Sequence, residues 1–289
     1  FFRNQARAVF IGVILMIILS SMRLEWLQSL ALPSILLSIL TLTFLLVFNE
    51  PVFGAARFLF AGRYQVATFA RVSVLLYVSV WIASRGRRQA RSSLQGLISF
   101  SLIVGLVASL ILLQPDITSS VLLMLAAFSL YFVAGATWQY FALYGFAGVV
   151  AFALLLFSLP YAQSRVVDWM AVVNQPTRGS YHIQTILAAI SNGGVWGQGY
   201  RLGQVKYIIP VPFSDSVYAT VCEEFGLIGS LLISALLLLI AWRGIKIARK
   251  SDNYFGYLLA YGVSVLLLWQ VLTNVGVMTA VFPAAGLPL

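Results

Sequence analysis

Eight stretches of apolar residues, each about as long as a bilayer is thick, dominate this chain and leave few folds open to it. A hydrocarbon core about 30 Å thick takes roughly 20 residues of helix. Runs near that length lie at about 5–22, 30–48, 65–83, 94–113, 117–134, 138–157, 216–241 and 254–282 of the 289 residues. Only 9% of the residues are charged and 61% are hydrophobic, so the chain cannot clothe a soluble domain in polar surface. The sequence therefore predicts an all-α, polytopic integral membrane protein, with residues 1–289 forming a single transmembrane domain in the lipid bilayer. Cys222 is the only cysteine and His182 the only histidine, which excludes an internal disulfide and histidine-clustered zinc or di-iron chemistry.

The net charge of +10 would suggest nucleic acid in a soluble protein, but here it has a different explanation. Arg85, Arg87, Arg88 and Arg91 follow the third apolar run, and Arg243, Lys246, Arg249 and Lys250 follow the seventh. Four crossings separate the clusters, so both fall on one side, and basic loops mark that side as cytoplasmic. No nucleic-acid partner is expected. Parity then places residues 158–215 outside as one large extracytoplasmic loop. Its Asp168, Gln175-Pro176, Gly193-Gly194, Gly197, Gly199, Gly203, Pro210 and Pro212 carry too much polarity and punctuation for a span. Two amphipathic segments within it, Arg165 to Val173 and Tyr181 to Ile190, suit a membrane surface or the roof of a cavity. The same count puts Phe1 outside and ends the eighth run outside, which leads us to expect a further helix beyond each end.

Charges inside spans are costly and mark candidate sites. Arg71 lies about 9 Å below the outer surface and Glu223 and Glu224 about 12–13 Å, at roughly 1.5 Å per residue. A pairing of Arg71 with one of the glutamates is expected at that depth. Asp215 closes the glycine-rich loop within Ser214-Asp215-Ser216 and opens a span. It fits two roles, a base that accepts a proton from a hydroxyl and a helix N-cap at the positive end of the helix dipole. Asp116, in Gln114-Pro115-Asp116, carries the same ambiguity. Arg57, Arg63, Arg165, Arg178, Arg201 and Lys206 are candidate contacts for an anionic headgroup or pyrophosphate, or else solvated and snorkelling side chains. The loop glycines allow either backbone approach to phosphate or simple flexibility. His182 and Cys222 read as a loop contact and a packed small side chain.

Several of these elements occur in one order. They are Gln114-Pro115-Asp116, Ser191-Asn192-Gly193-Gly194 through Gly197 and Gly199, and Ser214-Asp215 followed by Glu223-Glu224-Phe225-Gly226-Leu227-Ile228-Gly229. Asn274-Val275-Gly276 and Pro283-Ala284-Ala285-Gly286-Leu287-Pro288 complete the series. The order and spacing resemble the FtsW/RodA/SpoVE family, the SEDS proteins, over essentially the whole chain. That resemblance implies a ten-helix membrane protein, with the eight runs as helices two to nine. It implies a peptidoglycan glycosyltransferase that polymerises lipid II at the outer face of the bacterial cytoplasmic membrane, with a class B penicillin-binding protein as partner, in cell elongation or division. Asp215 falls on the family's essential aspartate, whose implied role is to activate or position the acceptor 4-hydroxyl. Lys206 is an implied pyrophosphate contact, offset by one residue. Arg57, Gln65, Arg71, Gln114, Asp116, Glu223, Glu224 and Asn274 complete the expected substrate-binding set.

The chain also departs from the pattern. Where the family has Gln-Pro-Ser-Glu-x-x-Lys, it reads Gln65-Val66-Ala67-Thr68-Phe69-Ala70-Arg71, keeping the amide and the cation without the glutamate. Val211 and Phe213 replace a glutamate and a histidine before Asp215, and where the family's final motif has Pro-x-Thr-Gly the chain reads Pro283-Ala284-Ala285-Gly286. These losses bear on metal use and activity. The metal and cofactor stay open, a divalent cation such as Mg²⁺ being one candidate. Two other functions stay open as well: a non-catalytic scaffold for a penicillin-binding protein, and a flippase or transporter for lipid-linked sugar.

Overall fold

The computed structural model describes residues 2–48, 58–59, 64–92, 94–158, 160–175, 181–204 and 217–283. Eight long helices lie where the apolar runs predict them. They are α1 (Phe2–Ser21), α2 (Leu24–Phe48), α3 (Val66–Ser92), α4 (Leu94–Leu113), α5 (Ile117–Val133), α6 (Trp138–Ser158), α9 (Val217–Arg249) and α10 (Tyr254–Met278). Between α6 and α9 stand two shorter helices, α7 (Pro160–Asn174) and α8 (Tyr181–Gly193), which enclose the two amphipathic segments. α7 starts earlier than expected because Pro160 suits a first helical turn, where no N–H is needed. Ahead of α3, Phe58–Leu59 (β1) pairs antiparallel with Tyr64–Gln65 (β2). The predicted all-α membrane architecture holds around this one small ribbon.

α3 occupies the centre, packed against α2, α4, α5 and α10. Its inward face carries Ala67, Ala70, Ser73, Val74 and Val78, small or β-branched side chains that let neighbouring helices approach closely. Leu42, Leu45, Leu75, Ile82, Val107, Ile111, Leu123, Leu130 and Leu258 fill the surrounding core. A second, smaller core joins Ile186 and Ala189 of α8, Tyr218, Ala219 and Cys222 of α9, and Met278 of α10. α10 packs on both α3 and α9 and so links the two cores. The outward faces are apolar as well: Leu36, Leu40, Leu102, Leu231, Leu232 and Leu239 are exposed along their helices, as lipid-facing residues are.

The two ends of the bundle differ. At one end lie the basic clusters, where Lys246 sits 3.6 Å over the ring of Trp242 and Arg85 4.8 Å over that of Trp81. Such cation and aromatic pairs anchor helices at a membrane interface. The opposite end holds the β1–β2 ribbon, the α4–α5 turn, α7, α8 and the start of α9, and every described candidate residue lies there.

Candidate functional site

The first polar group forms where α3 begins beside the α4–α5 turn. Asp116 precedes α5, and its Oδ1 accepts the Ser119 N–H at 3.1 Å, so it does cap that helix. Its other oxygen, Oδ2, accepts from Gln65 Nε2 at 2.8 Å, which ties the turn to the first residue before α3. Thr68 Oγ1 donates to Gln65 Oε1 at 3.4 Å and accepts from Arg71 Nη2 at 3.0 Å. The four side chains thus form one chain, Asp116 to Gln65 to Thr68 to Arg71. Gln114, also buried, donates from Nε2 to the Leu42 carbonyl of α2 at 3.0 Å and braces the turn from the other side.

Arg71 is only 1% exposed, and its Nε and Nη1 have no hydrogen-bond partner among the described residues. The carboxylate whose charge acts on it is Asp116. This corrects the expected pairing of Arg71 with Glu223 or Glu224. Among the described residues no such ion pair forms, because α3 and α9 pack against α10 rather than against each other. Thr68 stands where the family pattern has a glutamate. Its hydroxyl both donates and accepts, which keeps the polar chain continuous without a second carboxylate.

The second group is built into a break in α9. Gly226 has φ 66° and ψ −166°, a conformation open essentially to glycine alone, and it interrupts the helix after Phe225. In an unbroken helix the carbonyls of Glu223 and Glu224 would accept from the N–H groups of Leu227 and Ile228. Here the run after α8 inserts instead. Gln198 and Gly199 donate to the Glu223 and Glu224 carbonyls, each at 3.0 Å, while Leu227 and Ile228 donate to the Gly194 and Val195 carbonyls at 3.0 and 3.3 Å. These four backbone groups, parted by the break, thus each find a new partner, as a low-dielectric environment requires. The insertion leaves no room for a side chain at Gly197, whose φ is 82° and whose Cβ would overlap the Glu224 backbone. Gly193 and Gly197 thus allow the run after α8 to pack directly on the α9 backbone. The spacing of Gly193, Gly194, Gly197 and Gly199 against Glu223-Glu224-Phe225-Gly226 is the signal that a sequence reading passed over.

Both glutamates are buried within this interlock. Glu223 is fully buried, and its Oε1 accepts the Gln204 N–H at 2.9 Å. Asn274, 1% exposed, is buried on α10. Asp215, Lys206 and Arg57 lie outside the described residues, as do Arg63, Arg178, Val211, Phe213 and the motif at 284–288. Among the described residues no three acidic, histidine or cysteine side chains gather as metal ligands.

A cavity of about 600 Å³ opens between α5, α7, α9 and α10. Val121, Leu125, Leu238, Trp269 and Leu272 give it apolar walls, and Arg165 of α7 stands at its rim. α7 is held across this end of the bundle by Trp169, whose indole N–H donates to the Ala280 carbonyl at 2.8 Å.

Fold and site together define a polytopic helical membrane protein with buried polar groups and an apolar cavity between its helices. The model of the FtsW/RodA/SpoVE family of cell cycle proteins matches residues 1–289, and the chain belongs to that family. It is 29% identical to the probable peptidoglycan glycosyltransferase FtsW of Escherichia coli O6:H1, over 100% of this chain and 71% of that protein. It is 31% identical to the one from Haemophilus ducreyi, over 88% of this chain and 66% of the relative. Among solved structures, a chain of a peptidoglycan synthase complex described as coordinating polymerization and crosslinking superposes with a TM-score of 0.80 and 25% identity, covering 99% of this chain and 81% of that one. The rod shape determining protein RodA of Thermus thermophilus shares the fold with a TM-score of 0.71 at 23% identity, over 99% and 78% of the two chains.

Proposed function

We propose that this protein is a peptidoglycan glycosyltransferase that polymerises lipid II at the outer face of the bacterial cytoplasmic membrane. The observation that carries the reading is the family match over residues 1–289, with relatives named for that activity across the whole chain. The basic clusters then mark the cytoplasmic end, and the end holding the polar groups faces outward.

In the reaction, Asp215 takes the proton of the acceptor 4-hydroxyl as its oxygen attacks the anomeric carbon of the donor sugar. The new glycosidic C–O bond forms as the bond to undecaprenyl pyrophosphate breaks, and the pyrophosphate leaves with that electron pair. The cavity between α5, α7, α9 and α10 takes the polyprenyl chain, while Arg165 and Lys206 meet the pyrophosphate. Arg71, held by Thr68 and facing Asp116, supplies fixed positive charge below the site. A class B penicillin-binding protein crosslinks the product, by analogy with the synthase complex of the same fold.

The test is synthesis of glycan strands by the purified full chain with its transpeptidase, from lipid II, with and without Mg²⁺. Strand formation is expected. Movement of lipid II between leaflets without polymer would establish a flippase instead, and transpeptidase binding without either would establish a scaffold.

A further inference from the structure

We infer that the turn between α9 and α10, at the basic end of the bundle, holds a binding site for the headgroup of a zwitterionic aminophospholipid, phosphatidylethanolamine. The site is independent of the glycosyltransferase reading. It is a cavity of about 490 Å³ lined by Arg249, Ser251, Asp252, Tyr254 and Tyr257, within the range of about 300–1,000 Å³ usual for small-ligand sites. Its charges select the ligand. A guanidinium and a carboxylate line one cavity, both exposed, yet among the described residues neither enters an ion pair. A ligand carrying one charge of each sign a few bonds apart satisfies both. Its phosphate takes the planar fork of Arg249, and its primary ammonium donates to Asp252. Tyr254 and Tyr257 stack with ring centroids 6.2 Å apart, an aromatic wall of the kind that attracts an ammonium. An anionic lipid such as phosphatidylglycerol would meet Arg249 but bring no cation to Asp252.

The walls are fixed before a ligand arrives. The N–H groups of Lys250 and Ser251 donate to the Ile247 and Ala248 carbonyls, each at 3.0 Å. Ser251 Oγ donates to the Asn253 carbonyl at 3.1 Å, and Asn253 Oδ1 accepts the Phe255 N–H at 3.0 Å, capping α10. The Tyr254 hydroxyl donates to the Ala134 carbonyl at 3.4 Å, which pins the ring to the end of α5. A preformed site of this kind loses little affinity to ordering. Its position indicates a lipid rather than a soluble ligand. Within the two turns before Arg249, Trp242 and Ile247 are exposed and Lys246 sits over the Trp242 ring, as at a membrane interface. A headgroup in the cavity thus leaves its acyl chains along the apolar outward face of α9.

The experiment titrates the purified full chain in detergent with phosphatidylethanolamine or phosphatidylglycerol of the same acyl chains and reads bound lipid by native mass spectrometry. The parent chain is compared with Arg249→Gln and Asp252→Asn. For the parent, phosphatidylethanolamine is expected to half-saturate at about tenfold lower concentration than phosphatidylglycerol, the worth of one charge-assisted hydrogen bond. Asp252→Asn is expected to abolish that preference, and Arg249→Gln to weaken both lipids by about tenfold. Both side chains are exposed, so the unfolding temperature without lipid should stay parental. Phosphatidylglycerol binding the parent as tightly as phosphatidylethanolamine would overturn the inference, as would a parental preference in Asp252→Asn. So would displacement of the bound lipid by soluble glycerophosphoethanolamine at the concentrations at which phosphatidylethanolamine itself binds, since the occupant would then need no membrane. The two lipids are compared on the parent chain, so a variant that fails to fold leaves the test decisive.

Discussion

At the scale of single residues, the account turns on how a buried cation is satisfied. Arg71 faces Asp116 through Thr68 and Gln65. Removing one partner of such a network leaves the other buried and unpaired, at a cost of several kcal/mol. Arg71→Ala and Asp116→Ala should therefore couple by about 0.5–3 kcal/mol in a double-mutant cycle of unfolding in detergent, while Arg71→Ala and Glu223→Ala should add independently. Coupling of Arg71 to Glu223 would contradict the placement. Thr68→Val, close in shape but without the hydroxyl, should cost about 1–3 kcal/mol because it strands a buried guanidinium donor. Unchanged stability would show that the Thr68 bond contributes nothing. The sequence exposed these residues, since a charge in an apolar run stands out. It did not reveal their partners, because which helix lies between which is a matter of packing, and α10 comes between α3 and α9.

At the scale of elements, the break in α9 is the feature that composition conceals. A run of 33 helical residues reads as one span, and hydropathy does not register a backbone that turns at Gly226. The break is stable only because the run after α8 supplies donors and acceptors to both halves. Gly226→Ala should lower stability by at least about 2 kcal/mol, since no side chain adopts that conformation cheaply. Gly197→Ala should do likewise through overlap with the Glu224 backbone. Thermal unfolding of purified variants checks both, and wild-type stability in either would mean that the interlock is loose. Helix positions were legible because bilayer thickness dictates them, although α2 begins six residues earlier, and α3 and α9 end nine and eight residues later, than the apolar runs. The interlock was not, although both halves of its motif are plain in the sequence, because pairing them requires knowing that a loop can enter a helix.

For the whole molecule, two packed cores joined by α10 set a polar end against a basic end, and a cavity opens between α5, α7, α9 and α10. Family, membrane architecture and activity were readable from ordered motifs, because scarce charges in a lipid-facing chain carry little but function. The central proposal is that Asp215 is the base of glycosyl transfer. The most direct measurement is the rate of glycan-strand synthesis from lipid II by the full chain with its transpeptidase, parent against Asp215→Asn. The substitution keeps the size and capping ability of the side chain and removes its basicity. The account predicts that synthesis falls by at least about 100-fold while the unfolding temperature and transpeptidase binding stay those of the parent. Strand synthesis at near the parent rate in Asp215→Asn would contradict it.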